Sequence, residues 1–308
     1  MKFGWLVLLF LMSCSRADMP KLEVYFCNPE LCNEILSNRI SEAKYNVHCA
    51  FYSLSSEEVI RALNSLPKCI EGRVVLEKQA EELTQPKQTA KGRGIMHNKF
   101  CVIDKAMVIT GSYNPREASD YRDALLVVED SRIAVQYETE FKELWYNKNV
   151  SYSNPNFNSD VTAYFCPEDD CNRIIIEELE KAEKSVNFAY YSFTSGELGL
   201  ALVALSSRNI SVSGIFEVSQ ISKFSQYHLL KNQGVNITVY CSAMVLHHKF
   251  IVIDNRTVIT GSFNPTKRAQ LFNDENILVI QDEKIAAKFN SEFKLLNAIS
   301  ECQTSKNI

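Results

Sequence analysis

The chain has 308 residues, of which 46% are hydrophobic and 23% charged, and a formal net charge of −4. That balance belongs to a folded globular protein and excludes a disordered or low-complexity chain. It also excludes an extended basic surface, so an anionic substrate must be met by a local patch.

Residues 1–17, MKFGWLVLLFLMSCSRA, open with Lys2 and continue in an apolar run over residues 3–12. The run is shorter than the ~20 residues that span a bilayer and has the length of the apolar core of an export signal. A buried N-terminal strand or helix is the alternative. Leu-Met-Ser-Cys at 11–14 also has the pattern of a lipoprotein signal, with Cys14 as the lipidated residue. Both forms, lipid-anchored on the outer face of the membrane or freely secreted, place the protein outside the cell, and both stay open.

Ten cysteines are many for a cytosolic enzyme, and their spacing is informative. Cys27-NPEL-Cys32 recurs as Cys166-PEDD-Cys171, each after Tyr-Phe and before Asn. In an exported protein these read as two small disulfide loops, Cys27–Cys32 and Cys166–Cys171. Zinc would need four converging ligands, and neither pair has further His or Cys at metal-site spacing. Cys49, Cys101 and Cys241 lie in or beside apolar, strand-like runs and read as inert core thiols.

The matches extend into a duplication. Residues 47–53 (VHCAFYS) resemble 186–192 (VNFAYYS), and residues 97–115 match 247–265 at thirteen of nineteen positions without a gap. The blocks keep their order, so the chain is predicted as two units, 21–146 and 161–299, joined by an Asn-, Ser- and Pro-rich linker at 147–160. Two such units in one chain predict a monomer that is an internal pseudo-dimer.

In the second unit a helix is expected over 174–184, a strand over 185–191, a helix over 196–205 and a strand over 211–216. A helix over 224–233 should stop at Gly234. Strands follow at 236–240, 249–253, 257–260 and 277–280, and a last helix at 283–297. Interleaved strands and helices indicate an α/β sandwich in each unit, with a mainly buried sheet.

The polar residues of the repeated block sit at telling offsets. His97 and Lys99 are two apart, as are His247 and Lys249, and each pair enters a strand pattern, so each His and Lys share a side. Ser112 with Asn114, and Ser262 with Asn264, are likewise two apart, after Gly111 and Gly261, which mark a tight turn or a close backbone approach. An ammonium and two neutral donors suit phosphate oxygens, and two imidazoles suit a nucleophile and an acid. Asp104 and Asp254 fall at an odd offset from the lysines and read as structural, bonding the following turn. Asp123 and Glu275, each just before an apolar strand, are the candidates for orienting the imidazoles. His48 and His228 read as ordinary core or surface residues.

This pattern, HxKx4Dx6GSxN in two copies, resembles the HKD motif of the phospholipase D superfamily, closest in style to its small secreted nucleases. The resemblance spans about residues 21–297. It implies two α/β units about a pseudo-twofold axis, with mixed sheets and both motifs meeting at the interface. It further implies phosphodiester hydrolysis through a phosphohistidine intermediate without a metal or other cofactor. By the same resemblance His97 is the nucleophile and His247 the general acid.

The substrate classes it implies are nucleic acid and phospholipid. The compact units favour DNA or RNA. Residues 85–99 (QPKQTAKGRGIMHNK) also do so, since Lys87, Lys91 and Arg93 occur there with no acid. A solvated loop is the plainer reading of that segment. Glu77 and Glu217, at equivalent strand ends, either shape the site mouth or are ordinary strand-terminal acids. Phospholipid hydrolysis is the second reading, made plausible by a lipid on Cys14, and an inactive binding module the third.

Overall fold

The computed structural model describes residues 20–27, 29–92, 94–117, 120–148 and 160–300. Residues 1–19, with the expected export signal and Cys14, together with Arg93 and most of the 147–160 linker, lie outside them. The first unit runs β1 (Lys21–Cys27), α1 (Pro29–Ser41), β2 (Asn46–Phe51), α2 (Glu57–Asn64), β3 (Glu71–Leu76), β4 (Lys87–Thr89), β5 (Lys99–Ile103), β6 (Met107–Gly111), β7 (Tyr121–Glu129) and α3 (Ser131–Tyr146). The second opens with β8 (Val161–Cys166), α4 (Cys171–Glu180), β9 (Ser185–Tyr190), α5 (Gly196–Ser207), β10 (Ser211–Glu217), α6 (Tyr227–Asn232) and β11 (Asn236–Tyr240). It closes with β12 (Val245–Leu246), β13 (Lys249–Ile253), β14 (Thr257–Gly261), α7 (Lys267–Leu271), β15 (Glu275–Gln281) and α8 (Glu283–Ala298).

Each unit is built on one mixed sheet, β1-β7-β6-β5-β2-β3-β4 in the first and β11-β10-β9-β13-β14-β15-β8 in the second. β2, β3 and β4 run parallel, as do β9, β10 and β11, and the remaining neighbours in each sheet are antiparallel. The local signals repeat as well. Ser56 and Ser195 cap α2 and α5, and Asp130 and Asp282 cap α3 and α8, each side chain accepting a first-turn N–H.

β5 and β13 are buried along their whole length, which is why they read as unbroken apolar runs. Alternation still sorts their side chains. Cys101 and Ile103 join Leu36 of α1 and Leu63 of α2 on the outer side. Phe100 and Val102 join a core that also contains Tyr137 of α3, Phe250, and Phe289 of α8. This second core takes residues from both units, so the two sheets and the helices α3 and α8 form one apolar body.

Three sequence readings need correction here. Cys49 and Cys101 are not free thiols: they face each other in the β2–β5 register, with Cα atoms 4.0 Å apart, and form a disulfide. Cys241 is disulfide-bonded too. A separation of 52 residues hides the first pair from any local pattern. The Cys27–Cys32 and Cys166–Cys171 bridges are present. Asp104 and Asp254 do not bond the turn that follows. They stand in left-handed conformation at the far end of β5 and β13, and accept from three successive N–H groups leading into β2 and β9. Finally, the expected helix over 224–233 is confined to α6, and α7 has no counterpart in the sequence reading.

Candidate active site

The residues just before β5 and β13 cross between the units. β12 adds in parallel to the start of β7, beyond the point where β1 ends, and His247 N–H donates to Arg122 O at 2.9 Å. In return Met96 bridges Asp274, and His97 N–H donates to Asp274 O at 2.9 Å. Each histidine is therefore carried against the other unit's strand, one residue short of its carboxylate. Glu77 and Glu217 anchor these approaches, accepting from Met96 N–H at 2.9 Å and Leu246 N–H at 2.8 Å. They hold the backbone next to each histidine, and this places them as strand-end anchors.

The imidazoles are paired crosswise. His97 Nδ1 lies 2.8 Å from Glu275 Oε2, and His247 Nδ1 lies 2.6 Å from Asp123 Oδ1. An ionised carboxylate only accepts, so Nδ1 carries the proton in each ring and Nε2 is left for a ligand. Asp123 and Glu275 are structural equivalents despite their different distance from the motif: they oppose Cys27 and Cys166, the last residues of β1 and β8.

Ser112 and Ser262 do not face a ligand as phosphate donors would. Their hydroxyls donate to Asp123 Oδ1 at 2.7 Å and Glu275 Oε2 at 2.6 Å, and accept from the N–H of Ala124 and Asn276. Both are fully buried, so each closes a chain from imidazole to carboxylate to hydroxyl. Gly111 and Gly261 make room for this, because a Cβ at either would collide with the carbonyl oxygen of Ala124 or Asn276. Asn264 Oδ1 accepts from Ser192 N–H at 3.2 Å, whereas the buried Asn114 Oδ1 has no partner among the described residues.

Lys249 Nζ donates to His247 O at 2.6 Å, and Lys99 Nζ likewise to His97 O. Burial lowers both amines, Lys99 well below its ordinary value and Lys249 to about 8. Burial also lowers both imidazoles, His247 to about 3. Asp123 and Glu275 stay ionised, their carboxyls depressed by the histidine and lysine charges around them in spite of burial. Lys99, Lys249 and Arg116 stand around Asp123 and Glu275, three basic side chains to two acidic ones, a balance that suits a phosphodiester anion.

Several neighbours escaped the sequence reading. Tyr52 and Tyr191 pack edgewise on His97 and His247 at 5.3 and 5.1 Å, and Tyr121 also meets His247. The first two stand at equivalent places in the repeated 47–53 and 186–192 blocks, a signal that was present. Arg116, directly after the first motif, donates to Asp123 Oδ2. It is absent from the second repeat, so repetition gave no pointer to it.

Of the expected basic patch, Arg93 lies outside the described residues, and Lys87 and Lys91 are both engaged elsewhere. Lys87 Nζ is taken up by the carbonyls of Ala80 and Leu83, at 2.7 and 2.8 Å. Lys91 lines a cavity of about 500 Å³ with Glu140, Glu143, Glu168 and Asp274, an acidic setting that opposes a polyanion. His48 is paired with Glu138 and stacked on Phe141, and His228 is exposed. Among the described residues no group of three or more His, Cys, Asp or Glu is arranged to hold a metal ion.

The model of a family described as "Cardiolipin synthase, PLD-like domain" matches residues 71–145 and 175–296. A phospholipase D of Rickettsia prowazekii is 30% identical over 167 residues, which are 51% of this chain and 82% of that protein. The human mitochondrial cardiolipin hydrolase is 31% identical over 121 residues, 39% of this chain and 48% of that one. Among solved structures, a phosphatidylserine synthase of Haemophilus influenzae superposes with a TM-score of 0.69 over 91% of this chain and 89% of its own, at 13% identity. That last likeness is one of fold alone.

Proposed function

Because the chain belongs to the PLD-like family of phosphodiester hydrolases, we propose that it cleaves phosphodiesters through a phosphohistidine at one site shared by His97 and His247. The crossed pairing carries this reading: neither unit alone has both an imidazole and the carboxylate that orients it. One Nε2 attacks phosphorus while the other ring protonates the leaving oxygen; water then releases the phosphoryl group, so no metal is needed. Lys99 and Lys249 balance the phosphate charge.

The substrate class is a polynucleotide. Its support is the setting of the histidines: Tyr52, Tyr121 and Tyr191 surround them, with Lys78 over the Tyr52 ring and Arg116 over the Tyr121 ring. Aromatic faces with adjacent cations suit exposed bases and their phosphates. A phospholipid headgroup is the second reading, favoured by relatives named phospholipase D and cardiolipin hydrolase. Export, expected from residues 1–17, is supported by the disulfides, which persist in oxidising compartments.

The test is turnover of DNA, RNA and phospholipid vesicles in the presence of a chelator, with His97→Ala and His247→Ala alongside. Either substitution is expected to lower the rate by roughly three or more orders of magnitude, since each removes half of a coupled pair. Near-normal turnover in one variant contradicts a single shared site, and a chelator loss that added metal restores contradicts metal-free chemistry. Headgroup release with nucleic acid untouched transfers the enzyme to the lipid reading.

A further inference from the structure

The two sides of the site match in their inner layer and differ at the rim. Tyr52 directly follows β2, Tyr191 directly follows β9, and each meets the histidine of its own unit. Lys99 lies over the Tyr52 ring at 5.4 Å and Lys249 over the Tyr191 ring at 5.5 Å, so this layer is symmetric. The residues outside it are not.

Beside His97 the rim carries a cation. Lys78, the residue after the anchor Glu77, is exposed and stands over the Tyr52 ring at 4.7 Å. Its counterpart after Glu217 is Val218, and the Tyr191 hydroxyl accepts from the neutral Gln220 amide at 3.1 Å. Lys223, further along the same segment, lies over its neighbour Phe224 at 5.0 Å.

Beside His247 the rim carries a second ring. Tyr121, two residues before Asp123, is partly exposed; its ring centre is 5.5 Å from that of the imidazole and 4.4 Å from the Arg116 guanidinium carbon. The residue at the same place before Glu275 is Asn273, which is buried and donates to that carboxylate at 3.3 Å. The counterpart of Arg116 is Thr266, whose hydroxyl caps α7. His97 thus has one ring beneath an exposed ammonium, and His247 has two rings.

We propose that the two sides read different parts of a polynucleotide: beside His247 the base next to the scissile phosphate stacks on Tyr121, and beside His97 the neighbouring phosphate is held by Lys78. This rests on the polynucleotide reading above. Aromatic surface stabilises any base, so Tyr121 selects a side without selecting a sequence. An exposed ammonium stabilises a phosphate, so Lys78 marks the opposite side. Reversing the strand would set a base against Lys78 and a phosphate against Val218 and the rings, and both contacts would be lost. The substrate therefore enters in one direction, although the histidines, lysines and carboxylates beneath it are matched.

The test uses the full chain with short single-stranded DNA and RNA oligonucleotides. Each carries one abasic position, or one uncharged methylphosphonate linkage, moved along the strand, and cleavage at every bond is read from a single digest. Removing the base on one fixed side of a bond should slow its cleavage roughly tenfold, and removing the base on the other side less than about twofold. A methylphosphonate one linkage away should slow cleavage about threefold, on that other side only. Tyr121→Leu should erase the base preference and keep the phosphate preference, whereas Tyr121→Phe should keep both. Lys78→Met should erase the phosphate preference alone. Each preference is a ratio within one digest, so a smaller folded fraction does not shift it. Equal losses on the two sides, both preferences on the same side, or a base preference that survives Tyr121→Leu overturns the inference and leaves the nuclease reading in place. Oligonucleotides left intact by the wild type overturn the nuclease reading, and this inference with it.

Discussion

Single side chains in this protein divide sharply between those that serve chemistry and those that serve the frame, and offset along the strand is what separates them. Lys249 stands at the start of β13 and is turned to the site; Asp254, five residues on, binds three backbone N–H groups at the other end. Those bonds depress the Asp254 carboxyl. Asp254→Asn should therefore destabilise the fold by about 1–2 kcal/mol at neutral pH, the group being partly solvated. A depressed carboxyl contributes stability above its unfolded pKa and loses it as the pH falls through the folded value. Urea denaturation at pH 7 and near pH 3 checks this: the gap between wild type and variant should be wide at the first and narrow at the second, with turnover per folded molecule unchanged.

At the scale of elements, the duplication was legible because strands, caps and motifs recur in the same order. Elements too short for a periodic pattern were not: β12 has two residues, yet it delivers His247 to β7 of the other unit. Pairings between elements were equally out of reach, and the Cys49–Cys101 bridge across β2 and β5 is the clearest instance. It ties a strand that precedes the site loop to the strand that follows His97. Replacing both cysteines by alanine should cost about 2–4 kcal/mol, through the loss of a cross-link that closes a long loop in the unfolded chain. A lowered midpoint in chemical denaturation checks it, and a midpoint equal to that of wild type contradicts it.

Across the whole molecule, the units are joined by a shared apolar core and by one polar hub. Asn276 accepts from Tyr137 Oη at 3.1 Å and Thr110 Oγ1 at 3.2 Å, and donates to Asn98 Oδ1 at 2.6 Å. All three partners belong to the first unit, and all are buried. Asn276→Ala removes all three bonds and takes the donor from the buried Asn98 Oδ1, and should cost about 2–3 kcal/mol. Unfolding should remain a single transition, because the apolar core still spans both sheets; two separated transitions in calorimetry would show that the hub, not the core, couples the units.

The sequence by itself determined the two α/β units, the His and Lys of each motif, and the carboxylates Asp123 and Glu275 that orient the imidazoles. These rest on repetition and on strand parity, which are local. Only the tertiary structure decided that His97 pairs with Glu275 and His247 with Asp123, that Ser112 and Ser262 support carboxylates, and that Lys87 is spent on backbone carbonyls. It alone brought Arg116 onto Asp123. Each of these depends on which strands meet across two separately encoded units, and hydrogen bonds and ion pairs between distant residues leave no periodic trace in the chain.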